Sequence, residues 1–112
     1  MTYDILVLDL DGTLTNSEKK ITPPTREALI EIQQNGKKVV LASGRPTPGI
    51  IPLAKELCLG DYGSYILSFN GGKIINCSTG EAICNKRLPS EVTSTVYEIA
   101  NQYDVDLLTY TE

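Results

Sequence analysis

The sequence contains no histidine. That excludes a Ser-His or Cys-His catalytic pair, and any histidine-ligated metal, within its 112 residues. Cysteine is scarce and odd in number: Cys58, Cys77 and Cys84 are widely spaced. They fit neither a disulfide framework nor a zinc-ligand pattern, and read as reduced, structural residues. A basic excess is missing too, since the net charge of −4 leaves no electrostatic footprint for nucleic acid. No run approaches the ~18 apolar residues of a membrane span. Met1-Thr2-Tyr3-Asp4 lacks the basic start of a secretory signal. No internal repeat or low-complexity tract interrupts the chain. The expectation is a cytoplasmic domain without a membrane partner. A content of 41% hydrophobic and 21% charged residues suits one ordinary globular unit.

What is present begins with an apolar run, Ile5-Leu6-Val7-Leu8, that ends in Asp9-Leu10-Asp11-Gly12-Thr13-Leu14-Thr15. Side chains at i and i+2 of an extended segment share a face, so Asp9 and Asp11 can reach one small ligand. An unbroken Val/Ile/Leu run is the pattern of a strand buried on both faces of a parallel sheet. In such sheets ligands bind beyond the carboxyl ends of the strands, which is where these acids stand. An isolated Asp-Gly would be no more than a turn signal. That reading leaves Asp9 unexplained, because a structural strand has no use for an acid closing an apolar run.

The remaining pattern alternates strand and helix. Ile5-Leu10 is expected to be the first strand. A loop leads to Thr22, which can cap a helix starting at Pro23-Pro24 and ending before Gly36. Lys38-Ala42 is the second strand. A helix near Ile50-Leu57 is poorly started, because Pro46, Pro48, Gly49 and Pro52 interrupt it. Tyr65-Phe69 is the third strand. Such alternation indicates right-handed βαβ units and a parallel α/β sheet. Lys73-Asn76 and Glu81-Arg87 flank Cys77-Ser78-Thr79-Gly80 as an antiparallel hairpin. Pro89 and Ser90 open a helix to about Tyr103, with Val92, Val96, Ile99, Ala100 and Tyr103 at helical spacing. That stripe reads as core packing. Asp106-Tyr110 is expected to be a last short strand.

Asp9-Leu10-Asp11-Gly12-Thr13-Leu14-Thr15 resembles the first motif of the haloacid dehalogenase superfamily. Leu41-Ala42-Ser43-Gly44-Arg45-Pro46 resembles the second, with Ser43 as its hydroxyl residue. Ser68-Phe69-Asn70-Gly71-Gly72 resembles the Asn-Gly segment of the large-cap, Cof-type sugar-phosphate phosphatases. Three matches in order, each after an apolar run, are far more specific than any one of them. The resemblance implies a Rossmann-like core over residues 1–82 and the beginning of an α+β cap over residues 83–112, with the change near Ile83.

It also implies a chemistry that needs these residue types. Asp9 would attack phosphorus and form an aspartyl-phosphate. Asp11 would protonate the leaving alcohol and later take a proton from water. Mg²⁺ would screen the repulsion between carboxylate and phosphate, held by a carboxylate oxygen of Asp9 and the main-chain carbonyl of Asp11. The resemblance assigns phosphate contacts to Leu10, Gly12, Thr13, Ser43 and Gly44. It assigns substrate contacts to Arg45, Asn70 and Gly71, although Arg45 reads equally well as a solvated loop arginine. The implied substrate is a small phosphorylated metabolite.

The family carries a lysine and an acidic pair in later motifs for which no residue here stands. Asp104-Val105-Asp106 joins a helix to a strand and reads as turn chemistry. The resemblance therefore covers less than half of such an enzyme. The expectation is the N-terminal part of a phosphatase: a fragment, a truncated gene product or one piece of a split protein. It would self-associate or bind a complementing C-terminal fragment. Three alternatives stand beside it: a phosphate- or metal-binding remnant without turnover, a phosphomutase of the same superfamily, and a receiver-like signalling domain. The last would place its accepting aspartate on a middle strand, where this chain has Asn70.

Overall fold

The computed structural model describes residues 2–110. Five strands, β1 (Ile5–Asp9), β2 (Lys38–Ala42), β3 (Tyr65–Ser68), β4 (Lys73–Asn76) and β5 (Ala82–Asn85), form one sheet in that spatial order. The helix α1 (Pro23–Gln34) connects β1 to β2, and α2 (Thr47–Glu56) connects β2 to β3; all three strands are parallel. β4 returns antiparallel beside β3, and β5 pairs antiparallel with β4. This is the Rossmann-like α/β architecture expected from the alternation of elements. The expected division at Ile83 falls within β5, so the sheet itself continues to Asn85. Thr111 and Glu112, at the end of the expected cap, lie outside the described residues.

Register decides which face of the sheet is covered. Leu6 and Leu8 stand opposite Val39 and Leu41, and Leu41 stands opposite Ile66. Val39, Leu41 and Ile66 join Leu29 of α1, Ile50 and Ala54 of α2, and Leu57 and Leu59 in a single core. Each fully buried leucine there contributes roughly 1.5–3 kcal/mol of transfer free energy. A buried polar tie runs through the same layer. Gln33 Nε2 donates to the Leu57 carbonyl (2.9 Å), Ser64 Oγ donates to Gln33 Oε1 (2.8 Å), and the Val39 N–H donates to Ser64 Oγ (3.0 Å). Each buried donor thus has its acceptor, which removes the cost of burying it. On the opposite face Ile5 and Val7 remain 58% exposed, and Val40, Ala42, Tyr65 and Leu67 are half-buried. β1 also pairs on one side only, leaving it a free edge.

Several local expectations are corrected. α2 starts at Thr47 rather than Ile50. Its prolines fall where they do little harm: Pro46 is the N-cap and Pro48 lies in the first turn, where a helix needs no donor. Pro52 lies inside the helix and removes one N–H. Thr22 takes the extended N-cap conformation of α1, but its side chain does not cap; its Oγ1 bonds Thr25 Oγ1 at 3.0 Å. β1 and β3 each end one residue early, so Leu10 becomes a fully buried turn residue and Phe69 opens a 3₁₀ turn, Phe69–Gly71. The last helix, α3, spans Ser90–Ala100, and none of its residues is buried. The apolar stripe is real, but it is not core. Asp106-Tyr110 forms no strand, because its backbone pairs with none of the described strands.

Candidate active site

Parallel strands place their carboxyl ends on one edge of the sheet. Asp9 closes β1, Ser43 follows β2, and the turn containing Asn70 follows β3. Leu10, between the two acids, is fully buried, whereas Asp9 and Asp11 are exposed on the same rim. Asp11 lies beyond the end of β1, so strand alternation alone does not set its direction. Gly12 has φ +80, which only glycine adopts without strain, and it turns the chain at once. The turn folds back on Leu10, whose carbonyl accepts from the Thr13, Leu14 and Thr15 N–H groups and from Thr15 Oγ1. The Leu10 N–H donates to Asp9 Oδ1 at 2.9 Å and orients that carboxylate. The N–H groups of Leu10 and Thr13 are thus engaged inside the loop and would meet an anion only as shared donors.

The second and third loops are laced together. The Asn70 N–H donates to the Ser43 carbonyl (3.1 Å), the Ser43 N–H to the Leu67 carbonyl (2.9 Å) and the Phe69 N–H to the Arg45 carbonyl (3.0 Å). A Cβ built on Gly44 would lie 2.9 Å from Asn70 Oδ1. The close approach of these two loops leaves little room for a Cβ at Gly44. Phe69 and Asn70 both lie in the left-handed region, at φ 53 and φ 54. Asparagine tolerates that conformation; a phenylalanine there is strained, and such strain concentrates at functional sites. The Phe69 ring contacts Tyr110 edge-on, with centroids 5.6 Å apart.

Arg45 crosses from the second loop to the first. Its Nε donates to Asp11 Oδ2 at 3.1 Å, its Nη2 donates to Asp11 Oδ1, and its Nη1 reaches the Gly49 carbonyl at 3.2 Å. The Arg45 hydrogen bonds hold the Asp11 carboxyl below the usual carboxylate range. Sequence reasoning placed Arg45 near the substrate but missed this partner. It also missed the Thr47–Ser68 hydroxyl pair (2.7 Å), which ties the start of α2 to the end of β3, and the strained Phe69. A small polar residue closing an apolar strand was the available signal for Ser68; no pattern in the sequence announces Phe69.

The haloacid dehalogenase-like hydrolase family matches residues 6–112 of the chain. The chain belongs to the haloacid dehalogenase-like hydrolases. A solved haloacid dehalogenase-like hydrolase from Bacteroides thetaiotaomicron superposes with a TM-score of 0.84 at 53% identity, over 90% of this chain and 38% of its own. YxeH of Bacillus subtilis, which carries a provisional phosphatase name, is 32% identical over 88% of this chain and 36% of its length. The 5-amino-6-(5-phospho-D-ribitylamino)uracil phosphatase YcsE of Bacillus subtilis is 28% identical over 91% and 39%. The chain therefore spans little more than a third of these relatives.

For this haloacid dehalogenase-like hydrolase, the residues that could hold a divalent cation are Asp9, through its carboxylate, and Asp11, through its main-chain carbonyl, because Arg45 takes both Asp11 carboxylate oxygens. Among the described residues no group of three His, Cys, Asp or Glu side chains gathers at one point. One exposed carboxylate and a main-chain carbonyl fit Mg²⁺, which binds through one or two carboxylates and keeps waters and phosphate oxygens as its other ligands. No helix among the described residues is long and apolar enough to cross a membrane. Gly44 offers a test of the loop packing. Gly44→Ala pushes the Asn70 side chain aside, so it should change stability by less than about 1 kcal/mol. It should still move the Asn70 amide resonances. Chemical denaturation and an amide NMR spectrum check the two halves separately.

Proposed function

We propose that the chain carries the nucleophile and acid/base of a Mg²⁺-dependent phosphomonoester hydrolase that acts on a small phosphorylated metabolite through an aspartyl-phosphate. The observation that supports this most is the joint placement of Asp9, Asp11, Ser43, Gly44 and Asn70 at the carboxyl ends of three parallel strands. Two of the relatives named above carry phosphatase names, which agrees with that chemistry.

An Asp9 carboxylate oxygen attacks phosphorus, and the bond from phosphorus to the ester oxygen breaks. Asp11, in its protonated form, gives its proton to that leaving oxygen. Asp11 then takes a proton from water as the water oxygen attacks phosphorus, which releases inorganic phosphate and restores the Asp9 carboxylate. The Ser43 hydroxyl and the Gly44 N–H would donate to phosphate oxygens. A bound Mg²⁺ supplies charge neutralisation between the nucleophile and the phosphate. Most of the length of the relatives lies beyond the match, so full turnover is proposed for a protein of that length, with this chain as its N-terminal part.

The test is direct. Incubation with p-nitrophenyl phosphate and Mg²⁺, followed by acid quench and peptide mass analysis, should find a phosphoryl group on Asp9. Excess EDTA should abolish the adduct, and Ca²⁺ should fail to restore it, because it tolerates looser coordination. A phosphoryl adduct on any other residue, or one formed undiminished in chelator, would end this reading.

A further inference from the structure

The Arg45–Asp11 pair occupies the site proposed above. Both oxygens of the Asp11 carboxylate are taken by one guanidinium, through Nε (3.1 Å) and Nη2, while Nη1 rests on the Gly49 carbonyl. The arginine backbone is fixed independently: its N–H donates to Ser43 Oγ (3.1 Å) and its carbonyl accepts from the Phe69 N–H. The guanidinium can therefore change partner while the loop stays in place. Both side chains are open to solvent, at 28% exposure for Arg45 and 54% for Asp11.

We propose that Arg45 is a positioning residue that latches Asp11 and is drawn off it by phosphate. Without an anion the guanidinium holds the carboxylate; an incoming phosphate dianion takes the guanidinium over and releases Asp11 toward the leaving oxygen. The planar fork of an arginine matches phosphate oxygens as well as a carboxylate. A phosphate dianion brings twice the charge of a carboxylate and an additional acceptor. An exposed ion pair shifts an equilibrium by about fivefold or less, so the exchange is not blocked by the strength of the latch. Ser43 and Gly44, the neighbouring phosphate candidates, lie on the same loop as the arginine. One negative ligand would thus be bound and would free the acid in a single step, whereas water or a neutral alcohol would leave the latch closed.

The inference rests on the phosphate-site reading, and the experiment separates the two. Inorganic phosphate is titrated in the presence of Mg²⁺ into the wild-type chain, Arg45→Gln, Asp11→Ala and the double variant, with affinity read by NMR. Arg45→Gln should weaken binding about tenfold. Asp11→Ala should tighten it, and the gain should be about threefold or more larger with Arg45 present than with Gln in its place, since only then is a latch removed. If Arg45→Gln does not fold, Arg45→Lys keeps the charge without the fork and should also bind more weakly. The wild-type Arg45 Nε–H resonance should shift as phosphate saturates. Strictly additive effects, or an Nε–H resonance that stays still while phosphate binds, would overturn the latch and leave the phosphate site intact. No binding by any variant up to about 50 mM would overturn both.

Discussion

Asp9→Asn should abolish phosphoenzyme formation. An amide oxygen is a far weaker nucleophile than a carboxylate, and the substitution also removes the carboxylate able to hold Mg²⁺. Nothing nearby stands in for it, because Leu10 is fully buried and Asp11 is held by Arg45. Asp11→Asn should behave differently. Losing one positioned acid/base typically costs ~10²–10⁴-fold, and the loss should be smallest for esters whose leaving group needs no proton. p-Nitrophenyl phosphate should therefore still phosphorylate the Asp11→Asn protein, whereas an alkyl phosphate should not. The substitutions touch exposed side chains, so denaturation midpoints should hardly move. Equal labelling of wild type and Asp9→Asn would remove the nucleophile assignment altogether.

How much of this was legible in the chain depends on what each signal encodes. The end of the first strand was legible because an apolar run ends in acids there; Asp11 itself lies beyond β1, where strand alternation no longer sets its direction. The parallel sheet followed from alternation. Proline misled over α2, since its cost depends on position in the helix, and Pro46 and Pro48 lie where a missing N–H costs nothing. Periodicity correctly gave α3 an apolar face, but it cannot say what covers that face; Val92, Ile99 and Tyr103 remain exposed. Asp106-Tyr110 has strand-like residues, yet a strand exists only through its partner. The Arg45–Asp11 contact joins residues 34 positions apart, and local sequence holds no record of it. The left-handed Phe69 is likewise set by the hydrogen bond from its N–H to Arg45, not by its own preference.

The 112-residue chain on its own should associate through β1. β1 hydrogen-bonds to β2 on one side, and its other edge is unpaired within the sheet. Along that edge Ile5 and Val7 stand 58% exposed and Leu6 39%. No proline or charge interrupts Ile5-Leu6-Val7-Leu8, and these are the usual devices that keep an edge strand from pairing. The apolar face behind it, from Ile5 and Val7 across Val40 to Leu67, extends the same surface. A second copy satisfies both needs at once: two β1 edges related by a twofold axis pair antiparallel, and each covers apolar surface on the other. Val7→Lys places a charge at the middle of that edge without entering the helix-covered core, which lies on the Leu6 and Leu8 side. Light scattering behind a sizing column should find the wild-type chain as a dimer or larger at about 100 μM, and the Val7→Lys chain shifted toward monomer with an unchanged circular dichroism spectrum. A wild-type chain that stays monomeric at that concentration would show that the exposed edge is protected in some other way, and would remove self-pairing as its role.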